Sequence, residues 1–346
     1  MLDRISKSQQ FVVRWFLTRG GQVAAVTSDW SWSDYCGAVG VRIGIDRFRY
    51  YIAPGLYAVG TPSQDDPVLV TANYKLTFDI LRRDIRGLNA WLLVLDTKGI
   101  NVWCAAGKGT FSTTELVRRI QMVGLEKVIS HRTLIVPQLG ATGVAAHEVK
   151  KASGFRVVFG PVRSKDIKAF LQAGMQATPH MQQVSFSLWE RLAVALVECS
   201  RSIKPLGLAL VALFVLAGFG MDFFSWDRAR QGVWLGFLIL SVGFVAGSIL
   251  TPMLLPWLPG RAFSQKGAEA GALVGLILLM FVNTGVVLGL GLVFGIIAIG
   301  SWYGMQFTGA STYTSPTGVE KEMRRALPWQ AAAAVCAGIL WRVGLC

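Results

Sequence analysis

Charged side chains are scarce in this 346-residue chain, where Asp, Glu, Lys and Arg together make up 16%. Acids are scarcer than bases, 20 against 34, which leaves a formal charge of +14. The basic residues are spread over both halves, with no dense Lys/Arg run interleaved with aromatics, so a nucleic-acid partner is excluded. Histidine is nearly absent: His131, His147 and His180 are the only three. None sits in a pattern that would pair it with a nucleophilic cysteine. Cysteine is sparse as well, at 36, 104, 199, 336 and 346. An odd count, wide spacing and no C-x-x-C pair argue against a disulfide framework, a zinc site or a dithiol redox motif. No G-x-G-x-x-G follows a strand pattern, which removes the dinucleotide fingerprint. The opening Met1-Leu2-Asp3-Arg4-Ile5-Ser6-Lys7 leads into no apolar run, so no cleaved signal peptide is expected and the soluble part is expected in the cytoplasm.

What is abundant is apolar sequence, 53% of residues with a mean hydropathy of +0.47. It is unevenly spread. Up to about Ser200 the chain reads as globular; beyond Pro205 it becomes long apolar blocks separated by short polar loops. Judged against the ~20 apolar residues that cross a bilayer core, spans are expected at about 205–221 and 232–250. Two more come from 268–303, folded back at Asn283-Thr284-Gly285, and a last one covers 327–345. Five spans place the loops at 252–267 and 304–326, with Arg261, Lys266, Lys321, Arg324 and Arg325, on the cytoplasmic side; Arg228 and Arg230 lie outside. The spans carry almost no ionisable residues at mid-depth, so they read as an anchor and docking platform more than a transport path. Gly285, Gly289, Gly291 and Gly295 read as helix-packing positions.

Before the membrane part, residues 1–45 form an aromatic-rich extension that packs on the main domain or lies at the membrane surface. Residues 46–180 form an α/β domain, and 181–204 an amphipathic linker (Phe186, Leu188, Trp189, Leu192, Leu196). Within 46–180, Pro54-Gly55-Leu56-Tyr57 suggests a turn. Strands are expected at 68–71, 91–95, 133–136 and 156–159, and helices around 77–86, from Ser112 on, at 144–152 and at 165–173. This alternation predicts a doubly wound parallel sheet, Rossmann-like in class.

One motif stands out: Asn101-Val102-Trp103-Cys104-Ala105-Ala106-Gly107-Lys108, between the strand at 91–95 and the helix opened by Ser112. Open α/β sheets place ligands at such strand-to-helix mouths. A P-loop would need glycine at 102 and a hydroxyl at 109, where the chain has Val102 and Gly109. The lone Cys104 is therefore a nucleophile, a metal ligand or a packing thiol. A rim of Ala105, Ala106, Gly107 and Gly109 leaves a flat surface for a large planar group. Lys108 and the nearby helix N-terminus are expected to favour the thiolate. Cys199 and Cys336, flanked by apolar residues, read as packing thiols. Cys346, the last residue, forms no prenylation box.

The string NVWCAAGK, followed by Gly109-Thr110-Phe111-Ser112-Thr113, resembles the cap-helix signature of the HgcA family of mercury-methylating corrinoid proteins. Residues 54–60 and 67–76 resemble that family too, as does an α/β domain joined to about five membrane helices. The resemblance implies an α/β Rossmann-like corrinoid-binding domain followed by an all-α transmembrane domain in the cytoplasmic membrane of an anaerobe. It implies a cobalamin-type corrinoid with the Cys104 thiolate as lower axial ligand to cobalt, and transfer of a methyl group to Hg(II) to give methylmercury. Asn101 and Trp103 would position the turn and Lys108 tune its charge, with Val102, Ala105, Ala106 and Gly107 completing the bed. Thr71, Val136, Gln138, Leu139, Gly140, Phe159 and Gly160 would be the remaining walls. The usual corrinoid signature D-x-H-x-x-G is missing, since His147 lies between Ala145-Ala146 and Glu148-Val149-Lys150. The implied partner is an HgcB-like ferredoxin with two four-iron clusters; this chain has no cluster-spaced cysteines and would need that external reductant. The implied methyl donor belongs to folate-linked one-carbon metabolism. Two other readings stand beside this one: a methyl carrier for acetyl-CoA-type chemistry or another soft acceptor, and a transporter or receptor whose soluble domain senses a ligand.

Overall fold

A computed structural model describes residues 10–47, 49–220, 223–310 and 316–345. The opening segment through Lys7 and the terminal Cys346 lie outside these residues. The chain divides into two compact units: one holds residues up to Val41 and Ile45–Ser185, the other Phe186 onward together with Arg42–Gly44.

The first unit is built on seven strands: β1 (Val12–Thr18), β2 (Gly21–Val26), β3 (Gly55–Val59), β4 (Val68–Ala72), β5 (Ala90–Leu95), β6 (Thr133–Val136) and β7 (Arg156–Phe159). Their spatial order is β1-β2-β3-β5-β4-β6-β7. Helices alternate with them: α1 (Trp32–Arg42), α2 (Lys75–Asp84), α3 (Val102–Gly107), α4 (Thr113–Met122), α5 (Leu125–Val128), α6 (Ala146–Ser153) and α7 (Ile167–Gln172).

The central strands are apolar on both sides because both sides are covered. Val68, Val70, Ala72, Leu93, Leu95, Leu134 and Val136 pack with α3, α4 and α6 through Val102, Leu116, Ile120 and Val149. The alternate residues Leu69, Leu92, Val94 and Ile135 pack with α2 and α7 through Phe78, Leu81, Ile85, Ile167 and Phe170. Each fully buried aliphatic contributes about 1.5–3 kcal/mol, so this two-sided burial is the main source of the fold's stability. β5, β4, β6 and β7 run parallel. After β4 the chain moves to β5 on one side and then to β6 on the other. The switch point therefore lies outside the carboxyl ends of β4 and β6, where open sheets bind ligands.

The structure corrects the sequence expectation in three places. The sheet is mixed, because β3 runs antiparallel to β5 while pairing parallel with β2. The expected turn at Pro54–Tyr57 is the start of β3, whose Leu56 and Tyr57 are buried on opposite faces. Residues 10–45, for which no elements were expected, are a strand hairpin that joins the sheet edge through β2, and a helix; of the two expected placements the hairpin takes the one on the main domain. Their pattern misled because an edge strand keeps exposed residues on both faces, as β1 does at Val13, Arg14 and Leu17.

A buried ionic cluster fastens α1 to α2. Arg82, fully buried, donates to Asp79 (2.9 Å) and Asp34 (2.8 Å), and to the carbonyls of Thr27 and Asp29. Lys75 bridges Asp34 and Asp79 at 2.6 Å each. Burial pushes the Asp34 carboxyl up, but hydrogen bonds from Lys75 and the Ser31 N–H, with the Lys75 and Arg82 charges, hold it well below the usual carboxylate range.

The second unit contains α8 (Leu188–Gly218), α9 (Trp226–Val245), α10 (Thr251–Leu254), α11 (Phe263–Leu279), α12 (Val286–Ala310) and α13 (Pro316–Leu345). A π-helical turn, Ala246–Leu250, joins α9 to α10. Four helices among the described residues are long and apolar enough to cross a membrane: Leu188–Gly218, Trp226–Leu254, Val286–Gly309 and Thr317–Gly344. The remaining expected span, the first of the pair at 268–303, falls on α11, which is 17 residues long. The turn at 283–285 does separate α11 from α12. From Leu188 on, the expected linker and the first span are one helix. Ser187 and Glu190 form a capping box at its start, and Pro205 sits inside it. Side chains at Gly291 and Gly295 would press on Leu340 (3.1 Å) and Ile239 (2.7 Å), so both serve helix packing; Gly285 faces open space.

Asp34→Asn removes one carboxylate from the buried cluster and should cost about 3 kcal/mol at pH 7. A carboxyl whose folded pKa is depressed stabilises above its unfolded value of about 3.9, and that contribution fades as pH falls toward the folded value. The gap between wild type and variant, read by chemical denaturation followed at tryptophan emission, should therefore narrow below about pH 4.

Candidate functional site

The motif forms α3, six residues that begin just beyond the carboxyl end of β5. Asn101 caps it: extended backbone places its Oδ1 to accept the Cys104 N–H at 2.9 Å. The helix ends when the Lys108 N–H reaches the Cys104 carbonyl (3.1 Å) and the chain reverses through Gly109 at φ +75°. Phe111, fully buried, then anchors the exit, and Ser112 caps α4 by accepting the Glu115 N–H.

The loop after β6 closes on α3. A side chain at Gly143 would meet Ala106 at 3.1 Å, one at Gly140 would strike the Phe111 ring, and the Thr113 N–H donates to the Gly143 carbonyl. At the end of α3 the space is open, since a Cβ at Gly107 or Gly109 would meet nothing within 4 Å. Cys104 is half-buried between these surroundings.

Burial pushes the Cys104 thiol up; Lys108, Arg47 and Asn101 pull it the other way and do not overcome it. Lys108 thus favours the thiolate, as expected, but the expected net outcome is corrected, because burial outweighs it. A six-residue helix offers little dipole, and the expectation counted charges without desolvation.

Of the walls read from sequence, Val136 shares the α3 face of the sheet and Phe159 packs against that face. Gln138, Leu139 and Gly140 form a 3₁₀ turn beside α3. Gly160 is tied to the end of β6 through its N–H to the Val136 carbonyl (2.8 Å). Thr71 is different: it is buried, and it alternates with Leu69 onto the α2 face, away from α3. Val102, Ala105 and Ala106 are buried under α3, Asn101 and Trp103 are half-buried, and Gly107 and Lys108 are exposed.

Sequence reasoning missed Asn73. Buried one residue past β4, its Oδ1 accepts from the Thr97 N–H (3.1 Å), the Thr97 hydroxyl (2.8 Å) and the Gly99 N–H (3.0 Å). The Thr97 hydroxyl also lies 2.7 Å from the Ile100 carbonyl, so its one proton is shared between that oxygen and Asn73 Oδ1. The loop leading into Asn101 is thus fixed to the neighbouring strand end. Its legible signal was the turn Lys98-Gly99, where both residues have positive φ.

One soft donor therefore stands at the switch-point edge beside open space. Among the described residues no three or more His, Cys, Asp or Glu gather as a metal site.

Comparison with known proteins falls on this unit. Residues 50–171 match the family described as CO dehydrogenase/acetyl-CoA synthase delta subunit. The chain is 34% identical over 128 residues to the acetyl-CoA decarbonylase/synthase complex subunit gamma of Archaeoglobus fulgidus, covering 36% of this chain and 27% of that one. With the subunit gamma of Methanopyrus kandleri the identity is 32% over 123 residues, 35% of this chain and 26% of that one. The chain spans about a quarter of the length of these relatives.

Two outcomes are expected at this site. In the protein free of cofactor, Cys104 alkylation by iodoacetamide should be several-fold slower at pH 7 than that of the exposed Cys36, and should rise only as pH passes above the ordinary thiol range; peptide mass spectrometry resolves the two. Asn73→Ala strips the acceptor from two buried N–H groups, each costing about 1–3 kcal/mol when unpaired. Amide exchange at Thr97 and Gly99 should accelerate while that of β6 stays slow.

Proposed function

We propose that this chain is a membrane-anchored corrinoid protein that works in methyl transfer, with Cys104 as the lower axial ligand of the corrinoid cobalt. The observation that carries this reading is a single half-buried thiol on a capped helix, at the switch-point edge of a doubly covered sheet and beside open glycine positions. The similarity of residues 50–171 to acetyl-CoA synthase subunits supports it.

When bound, a corrinoid supplies a cobalt centre that accepts and gives up a methyl group. The chain's own residues prepare the bed. Asn101 fixes the turn of helix on which Cys104 rides, and the Gly140–Gly143 loop backs that helix through Ala106 and Phe111. Gly107 and Gly109 leave the outer side free for a planar ring. Cys104 Sγ gives up its proton on becoming a ligand and donates electron density toward the metal. Val136, Gln138, Leu139 and Gly140 form the neighbouring wall, and Thr71, on the α2 face, is not part of it.

For the acceptor we favour a soft Hg(II) ion, with methylmercury as product, on the strength of the NVWCAAGK string and its likeness to the HgcA family. Folate-linked one-carbon metabolism provides the methyl donor in this reading. The reductant is an HgcB-like ferredoxin with two four-iron clusters, since the cysteines of this chain lie at 36, 104, 199, 336 and 346, too far apart in sequence for a cluster motif. The four long apolar helices anchor the chain in the cytoplasmic membrane, with the α/β unit in the cytoplasm. A second reading is favoured by the relatives themselves: a methyl carrier that serves acetyl-CoA synthesis.

Anaerobic purification with added corrinoid, followed by cobalt analysis and absorption spectroscopy of wild type and Cys104→Ala, tests the ligand. A cobalt–thiolate spectrum that changes in the variant is expected, with methyl transfer falling at least tenfold; an unchanged spectrum sinks the assignment. Cys104→His should keep the cofactor and methylate poorly. Methyl release to Hg(II), measured against acetyl-CoA formation, separates the two acceptors.

A further inference from the structure

The chain leaves the sheet after β5, forms α3 and returns as α4, so Cys104 rides on an excursion with two feet. The foot at α4 reads Ser112-Thr113-Thr114-Glu115, the sequence of a capping box. Ser112 supplies its half by accepting the Glu115 N–H. The Glu115 carboxylate goes elsewhere. Its Oε1 accepts the Asp96 N–H at 2.9 Å, nineteen positions back and one residue past β5.

Arg119, one turn further along α4, holds the same oxygen through Nε (3.0 Å) and Nη2 (2.5 Å), and Arg118 reaches the other oxygen (3.3 Å). The Arg119 and Glu115 side chains are 6% and 11% exposed, which sets them apart from the solvated i,i+4 pairs of helix surfaces. Thr113 fastens the same turn in another direction. Its N–H donates to the Gly143 carbonyl (3.1 Å), and its hydroxyl accepts the Ala145 N–H (2.9 Å). The first turn of α4 is thus bonded both to the end of β5 and to the loop after β6. A buried ion pair adds little net stability over apolar packing, so what this one secures is position.

We propose that Glu115, held by Arg119, is a positioning residue for Cys104: by closing the base of the 97–114 excursion it fixes the level at which α3 offers its sulfur to a bound corrinoid. The corrinoid half of this role rests on the ligand reading of Cys104 given above; the closure does not.

Amide exchange and iodoacetamide alkylation of the full chain free of cofactor read the closure. In Glu115→Ala, alkylation of Cys104 relative to the exposed Cys36 should rise several-fold, and exchange at 97–104 should quicken while β6 stays slow. Glu115→Gln, whose amide oxygen still accepts the Asp96 N–H, should return both close to wild type. Arg119→Lys keeps the charge but replaces two bonds by one; it should fall between, and it serves where Glu115→Ala does not fold. Unchanged alkylation and exchange in the weakened variants would overturn the inference. So would exchange that quickens as much in β6, the mark of a merely structural residue, or a Glu115→Gln protein as open as Glu115→Ala. Reconstituted with corrinoid, Glu115→Ala should hold cobalt with a weakened or shifted cobalt–thiolate absorption that Glu115→Gln restores; an unaltered band overturns the positioning role. A wild type without that band would overturn the ligand reading and the corrinoid half of this role with it, while the closure stands or falls on the cofactor-free result.

Discussion

Asn73 sits where two demands meet. The strands on either side of it are buried on both faces, so they can carry no polar chemistry along their lengths. All of it must gather at the strand ends, in loops that lack a ladder to hold them. One amide side chain supplies the missing order: three donors of the 97–99 segment converge on its Oδ1, while the main-chain carbonyl of Asn73 accepts from the Ile52 N–H. A loop fixed this way delivers Asn101 at a defined position. Asn101 then sets the first turn of α3, and that turn sets Cys104. The cysteine is on a short helix, and its placement is inherited from β4 through Asn73.

How much of this could be read from the chain depended on whether a pattern was local. Strands at 133–136 and 156–159 and the Ser112 cap were legible because polar residues bound each apolar run. β3 was hidden by Pro54-Gly55, a pair that signals a turn in most settings. Here the turn chemistry ends one residue into the strand, whose residues face both cores. α1 was hidden for the opposite reason. Its buried face holds an ion-paired aspartate and its exposed face is aromatic, so a pattern search assigns inside and outside the wrong way round. Thr71 was read from its strand end alone; which face it takes follows from its alternation with Leu69, and that puts it on the α2 side. Asn73 left only an indirect trace, since its partners lie 24 and 26 positions away.

The balance at Cys104 shows why a basic neighbour does not by itself make a reactive thiol. Lys108 is exposed, so water screens its charge, and the thiol is half-buried, so desolvation acts on it directly. Desolvation wins. A thiol of this kind is slow toward diffusible electrophiles at neutral pH, which protects a lone cysteine at an open ligand mouth from alkylation and oxidation. It is nevertheless able to bind a metal, because coordination displaces the proton and binding then becomes pH-dependent. The thiolate is both the nucleophile and the metal ligand, so the burial that raises the thiol opposes both chemistries at neutral pH. A bound metal would have to displace the proton, and its hold on Cys104 would strengthen as pH rises. The open space at Gly107 and Gly109 argues against mere packing.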